Sequence, residues 1–511
     1  MMQSYSESEC MRQQAILSID QGTSSSRALL FNRDGKVLAV AQQELDCVYP
    51  QQGWVEQDAE LIWLSVLKVC RQVLAQAVQL GIEVLAVSIS NQRETTVLWH
   101  KAKDKVLAPA IVWQDRRTAD YCQQLKDQGH EALVQQKTGL LLDPYFSASK
   151  IQWLLTHNAD VQQALAEGEL AFGTIDSFLL WRLTSGRVHA TDTTNASRTL
   201  LLNIQSLSWD QELLQLFGVP EHILPQVKQS ADAYGVCDTR LFGLALPVLA
   251  LVGDQQAAAL GQGCISTGSL KSTYGTGCFA LLNTGCNPLF SKHRLLTTVA
   301  FTVQGHTFYA LEGAIFVAGA AVKWLRDQLG VITQASETEA LAQSLPDNGG
   351  VYLVPAFTGL AAPHWQPEAR AALVGMTLGT GKAHLARAAL EAVVYQTADL
   401  LSAMLADGAK VQQLQVDGGM VANNWLCQHL ADVLNIPVLK PSQNEASAYG
   451  ASVLAAVQLG WFESLNAVPF SAEAQQFLPQ MSADKRQQLL SGWQNALASV
   501  LTENKKITNP N

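Results

Sequence analysis

Apolar and polar positions along the chain fall into two rhythms, and the order in which they alternate repeats. Between residues 15 and 41, short apolar runs at 15–19, 27–31 and 36–41 are separated by the polar stretch 20–25 and by Asp34-Gly35. This pattern predicts three antiparallel strands joined by tight turns. Across 59–80, Leu61, Ile62, Leu64, Leu67, Val73 and Leu74 recur at helical spacing. Residues 84–90 then form a nearly continuous apolar run, as in a strand covered on both faces. The longest apolar run, 241–252, carries Pro247 and reads as a buried strand. A similar grammar restarts near residue 270, with strands expected over 270–276, 278–283 and 295–303 and helices over 319–328 and 386–405. A strand over 411–416 and a helix over 424–434 follow. The halves share an order (strand, Gly- and hydroxyl-rich turn, strand, strand, helices) without enough identity to be called a repeat. The boundary is placed at 261–269, giving an N-terminal lobe over 15–262 and a C-terminal lobe over 263–500. Residues 1–14 and 503–511 read as polar tails.

Composition narrows the function. A chain of 511 residues, 48% of them hydrophobic, is too long for one core and too apolar for general disorder. The net charge of −10 argues against gripping nucleic acid, which needs a basic footprint. No run reaches the length of a membrane span, and the apolar run after the polar start is too short for a signal peptide. Nine scattered Cys without a Cys-x-x-Cys pair suit free thiols in a reducing cytoplasm, and the ten His show no metal-ligand spacing.

Five constellations carry candidate chemistry. The turn Asp20-Gln21-Gly22-Thr23-Ser24-Ser25-Ser26-Arg27 offers free N–H groups and hydroxyls that can wrap a phosphate, and an Asp that can hold Mg2+ through water. Read alone, it is also an ordinary hairpin turn. Tyr274-Gly275-Thr276-Gly277 repeats that chemistry in the second half, and Asp417-Gly418-Gly419 adds a third glycine turn at a strand end. Three such turns argue for a bound nucleotide. Gly275 to Ala280 fits a dinucleotide pattern only weakly, since a strand follows it. The string around Gly375 and Lys382 is not a P-loop, because its spacing is wrong and no Ser or Thr follows Lys382. Gly253-Asp254-Gln255-Gln256 puts a carboxylate at the end of a strand, where it can take a proton from a hydroxyl or merely cap a helix. In Asn91-Gln92-Arg93-Glu94-Thr95, Arg93 and Glu94 can share a site only if the strand ends or kinks there. A polyol could supply their missing partners, as could a distant structural ion pair.

Together with Ile111-Val112-Trp113-Gln114-Asp115-Arg116-Arg117, Asp143-Pro144-Tyr145-Phe146-Ser147 and Thr194-Asn195-Ala196-Ser197-Arg198-Thr199, these strings resemble the FGGY family of carbohydrate kinases. That family sits within the sugar kinase, heat-shock chaperone and actin superfamily. The likeness runs from Ile16 to about Trp493 and is greatest to the branch acting on glycerol. It implies an α/β fold of two actin-like (ribonuclease H-like) lobes, with mixed sheets flanked by helices and a cleft between the lobes. It implies ATP-dependent phosphorylation of glycerol to sn-glycerol 3-phosphate, another polyol or ketose being the alternative substrate. By position, Arg93, Glu94, Tyr145, Asp254 and Gln255 would hold the hydroxyls, with Trp113 and Phe279 against the carbon backbone. Asp254 would be the general base, and Asp20, with Asp254 through water, would organise Mg2+. Thr23, Ser24, Ser25 and Arg27 would meet the phosphates, and Thr276, Gly319, Lys323, Gly419 and Asn423 would bind ATP. A homodimer or homotetramer is expected. Three departures from the family pattern stand out: Ala361-Ala362-Pro363-His364, Lys323 for a common Gln, and Ser447 for a usual Thr. The Arg240 to Ala245 region also lacks the Gly-rich loop that enteric relatives use for fructose 1,6-bisphosphate, so strong inhibition by that effector is not expected.

Overall fold

The computed structural model describes residues 13–366, 368–441, 445–470 and 474–507. Most of the tail expected at 1–14, and the last four residues, lie outside that set. In the N-terminal half, β1 (Gln14–Gln21), β2 (Ser25–Phe31) and β3 (Val37–Glu44) form an antiparallel meander. Helix α1 (Ala59–Leu80) follows, started by Asp58, whose carboxylate accepts from the Glu60 and Leu61 N–H groups. Its Ile62, Val66, Val69, Cys70 and Val73 lie in the core, whereas Leu61 and Leu64 of the predicting set are exposed. Half of its most apolar window is buried in this way, so the helix is accounted for by packing. Strands β4 (Glu83–Asn91) and β5 (Val248–Gly253) then add in parallel, giving the order β3-β2-β1-β4-β5. The apolar run at 241–252 is not one strand: Thr239–Phe242 is a short helix capped by Asp238, and the strand itself starts only past Pro247. Proline has no N–H to give a ladder.

From β5 the chain passes directly into α2 (Asp254–Gly261). The second half then builds β6 (Ser269–Tyr274), β7 (Cys278–Gly285), β8 (Leu296–Val303) and β9 (His306–Ile315). After α3 (Gly319–Asp327) and α4 (Lys382–Ala406) come β10 (Gln413–Asp417), α5 (Asn424–Leu434) and β11 (Val438–Pro441). Helix α6 (Ala446–Leu459), β12 (Ala474–Phe477) and α7 (Ala483–Ile507) complete the half. The reading of a tail from 503 is therefore too long, since the helical backbone continues to Ile507. The second sheet runs β8-β9-β7-β6-β10-β11-β12. As in the first sheet, the opening strand has an antiparallel neighbour on one side and a parallel one on the other. The shared order expected from the chain is thus a shared topology in part: β9, not the expected third strand β8, takes the place of β3, and β8 lies outside it at the sheet edge.

The halves meet through α2 and α6. A Cβ on Gly261 would lie 2.0 Å from the Ala446 carbonyl oxygen, and one on Gly450 would lie 1.9 Å from that of Ala257. Only glycine permits this reciprocal crossing. Although α6 comes late in the chain, it packs on the N-terminal sheet, where the Ser18 hydroxyl donates to the Ala448 carbonyl at 2.6 Å.

Candidate active site

Strand register gathers the expected groups. Asp20 lies beside Ser90 on β4 and opposite Arg27 on β2, and Gly253 at the end of β5 lies beside Asn91. Asp20, the Arg93–Glu94 turn and Asp254 therefore lie at one end of one sheet, where its parallel strands finish. The strand ends at Asn91, and Glu94 takes a left-handed φ of 60°. This is the break that Arg93 and Glu94 needed in order to face one site. The Glu94 carbonyl accepts from the Ser147 hydroxyl at 3.0 Å, which helps hold the turn.

The Arg93–Glu94 pair is half of a buried charge network. Arg93 forks onto a glutamate of β9 in the other half, its Nη1 donating to Glu312 Oε2 at 2.6 Å and its Nη2 to Glu312 Oε1 at 3.2 Å. Arg198 Nε donates to Glu94 Oε1 at 2.6 Å and its Nη2 to Glu312 Oε1 at 2.9 Å. Two guanidinium groups thus face two carboxylates, all four residues buried. The two arginines hold Glu312 below the usual carboxylate range against its burial. Arg93 Nη1 also donates to Gln256 Oε1 at 3.2 Å, its Nη2 reaches the Tyr145 hydroxyl at 3.4 Å, and its Nε lies 3.5 Å from Asp254 Oδ1.

Asp254 opens α2, and its side chain keeps 30% exposure, so it borders the pocket without being sealed in it. Desolvation pushes its carboxyl up, opposed by Arg93, the Gln255 N–H and Lys271. An aromatic wall closes the other side, with the Trp113 ring 5.6 Å from Tyr145 and 6.2 Å from Phe279, both edge to face. Trp113 Nε1 donates to Thr23 Oγ1 at 3.0 Å, tying this wall to the first turn. Arg93, Glu94, Tyr145, Trp113, Asp254, Gln255 and Phe279 are therefore linked by successive contacts.

Across the cleft the glycine turns converge. A Cβ on Gly319 would meet the Gly275 oxygen at 2.6 Å, and one on Gly418 the Tyr274 oxygen at 2.4 Å. Thr276, Gly319 and Gly419 thereby share one corner at the N-terminus of α3. Asn423 caps α5 by accepting from the Leu426 N–H at 3.0 Å, and Lys323 lies exposed on α3. On the N-terminal side, Ser24 is exposed and Ser25 half-buried in the turn beside Thr23. Arg27 Nη2 pairs with Glu445 at the start of α6 at 2.5 Å. Sequence reasoning assigned no role to Glu312, Arg198 or Gln256. Arg198 and Gln256 sit in strings it quoted, whereas β9, which carries Glu312, was not expected at all.

Residues 15–261 match the N-terminal domain of the FGGY family of carbohydrate kinases, and residues 270–459 match its C-terminal domain. The chain belongs to that family. Within it, the chain is 56% identical over 483 residues to a glycerol kinase of Rhodospirillum centenum, covering 94% of this chain and 97% of the relative. It is 52% identical over 489 residues to glycerol kinase 1 of Pseudomonas aeruginosa, covering 96% and 99%. The crystal structure of Plasmodium falciparum glycerol kinase with ADP superposes with a TM-score of 0.92 at 32% identity, covering 96% of this chain and 99% of that one. Xylulose kinase from Rhodospirillum rubrum shares the fold, with a TM-score of 0.86 at 22% identity.

Proposed function

We propose that the protein transfers the γ-phosphoryl group of ATP to a terminal hydroxyl of glycerol, forming sn-glycerol 3-phosphate and ADP, and that Asp254 is the general base. The observation that carries this reading is Asp254 at the end of β5, its side chain 30% exposed and its Oδ1 3.5 Å from the buried Arg93, at the same end of the sheet as Asp20. Relatives at 56% and 52% identity over almost their whole length bear the name glycerol kinase.

The chemistry follows from the arrangement. Glycerol presents three hydroxyls and a short carbon face. Arg93 supplies donors, the Glu94 carboxylate accepts, and Tyr145 and Gln255 do either, while Trp113 and Phe279 cover the carbons. The hydroxyl beside Asp254 gives its proton to that carboxylate as its oxygen bonds to the γ-phosphorus, and the bond to the β–γ bridging oxygen breaks. Desolvation that raises the Asp254 carboxyl makes it a better base at neutral pH. Thr276, Gly319, Gly419 and Asn423 hold the nucleotide on the opposite wall, and Thr23, Ser24 and Ser25 meet its phosphates. Arg27 joins them once it releases Glu445.

The residues also fit Mg2+. Burial and the neighbouring charge of Asp254 push the Asp20 carboxyl up to about 6, and a divalent cation would relieve both effects. Among the described residues no cluster of three or more His, Cys, Asp or Glu side chains forms a cage. One or two carboxylates completed by water and phosphate oxygens is a donor set that Mg2+ accepts. Asp20, with Asp254 through water, would hold the ion, which when bound neutralises phosphate charge.

ADP release measured with glycerol, erythritol and xylulose tests the assignment. Glycerol is expected to be the preferred acceptor, and Asp254→Asn is expected to lower its turnover by about 10³-fold. A preference for xylulose, or equal turnover in the variant, defeats it.

A further inference from the structure

The roles assigned above leave unused a lysine on the first strand of the C-terminal sheet. Alternation along β6 turns Leu270 and Tyr274 into the C-terminal core and Lys271 to the opposite face. Lys271 is fully buried, and its Nζ donates to Gln255 Oε1 at 3.1 Å, its one side-chain hydrogen bond among the described residues. That acceptor is a neutral amide on α2, reached across the junction between the halves. Burying an ammonium costs several kcal/mol unless nearby charge compensates. An unbranched apolar side chain would fill the same space without that cost, so the charge itself calls for an explanation.

Its neighbours supply one. An amide side chain has one oxygen that accepts and one NH2 that donates. With its oxygen held by Lys271, Gln255 has only its NH2 group to turn toward the pocket.

We propose that Lys271 is a positioning residue for the acceptor substrate: it fixes the Gln255 amide so that its NH2 donates to a glycerol oxygen. The proposal rests on the assignment of Gln255 and Asp254 to the glycerol site.

Steady-state kinetics of the full chain at saturating ATP and Mg2+ test it with Lys271→Met and Lys271→Gln. In Lys271→Met the KM for glycerol is expected to rise about tenfold, as for loss of one hydrogen bond made by a charged group, while kcat holds, because the general base and the nucleotide wall are untouched. Lys271→Gln keeps a donor for Gln255, so KM returns most of the way. It also carries the test if the methionine variant does not fold, thermal midpoints being recorded for both. Unchanged KM in the variants, or a loss of kcat alone, overturns the proposal. A wild-type enzyme that releases no ADP with glycerol overturns the underlying reading and the proposal together, whereas wild-type turnover with indifferent variants overturns the proposal alone.

Discussion

Glu312 shows at the level of one residue what holds the pocket together. It accepts from both Arg93 and Arg198, so its removal leaves two buried guanidinium groups short of a carboxylate. Breaking a buried pair on one side costs about 3–5 kcal/mol. Glu312→Ala is therefore expected to lose roughly that much stability in denaturant titration; a change under about 1 kcal/mol would contradict the network. Arg93 and Glu94 were legible because two charges wedged between apolar runs demand partners. Their partner was not, because Arg93 and Glu312 are 219 residues apart and no local pattern encodes that contact. Arg27 shows the same limit: its turn chemistry points to phosphate, and the Glu445 pairing, 418 residues away, could not be seen from the turn.

At the level of elements, most strands and helices of both sheets were legible because each keeps one period and ends at a polar turn. α1 and α5 fall on the expected residues. Helix α6 was missed for a physical reason: its Ala-rich sequence is buried on nearly every side, so no polar face marks its period. What defines it is its crossing with α2, where backbone meets backbone. Gly450→Ala would drive a methyl group against the Ala257 carbonyl, and such overpacking costs about 1–3 kcal/mol. Its thermal midpoint should fall measurably. Gly381→Ala is the control, since a Cβ there meets nothing within 4 Å and φ is extended. Equal midpoints for the two variants would show that the crossing yields without cost.

For the whole molecule, the two-lobe plan and the cleft were readable from the restarted grammar, while the chemistry depends on what the lobes bring to one another. Asp20 is the clearest case. Its carboxyl stands near 6, raised above the ordinary 3.8, so the folded protein takes up a proton there as pH falls through 6 and the ionised form needed for a cation is lost. Activity at limiting Mg2+ should therefore decline below pH 6. Because metal and proton compete for that group, a tenfold increase in free Mg2+ should move the limb down by up to about one pH unit. A limb insensitive to Mg2+ would remove Asp20 from the metal site.

The position of α6 has a consequence for how the chain comes into being. The N-terminal sheet is complete in strands once β5 is made, yet one of its faces is covered by a helix encoded almost 200 residues later. During synthesis that face stays bare until the ribosome has delivered residue 459 and the chain beyond it has cleared the exit tunnel. The two halves therefore cannot mature one after the other as separate domains. The first must wait, partly built, for the second to hand back its missing wall.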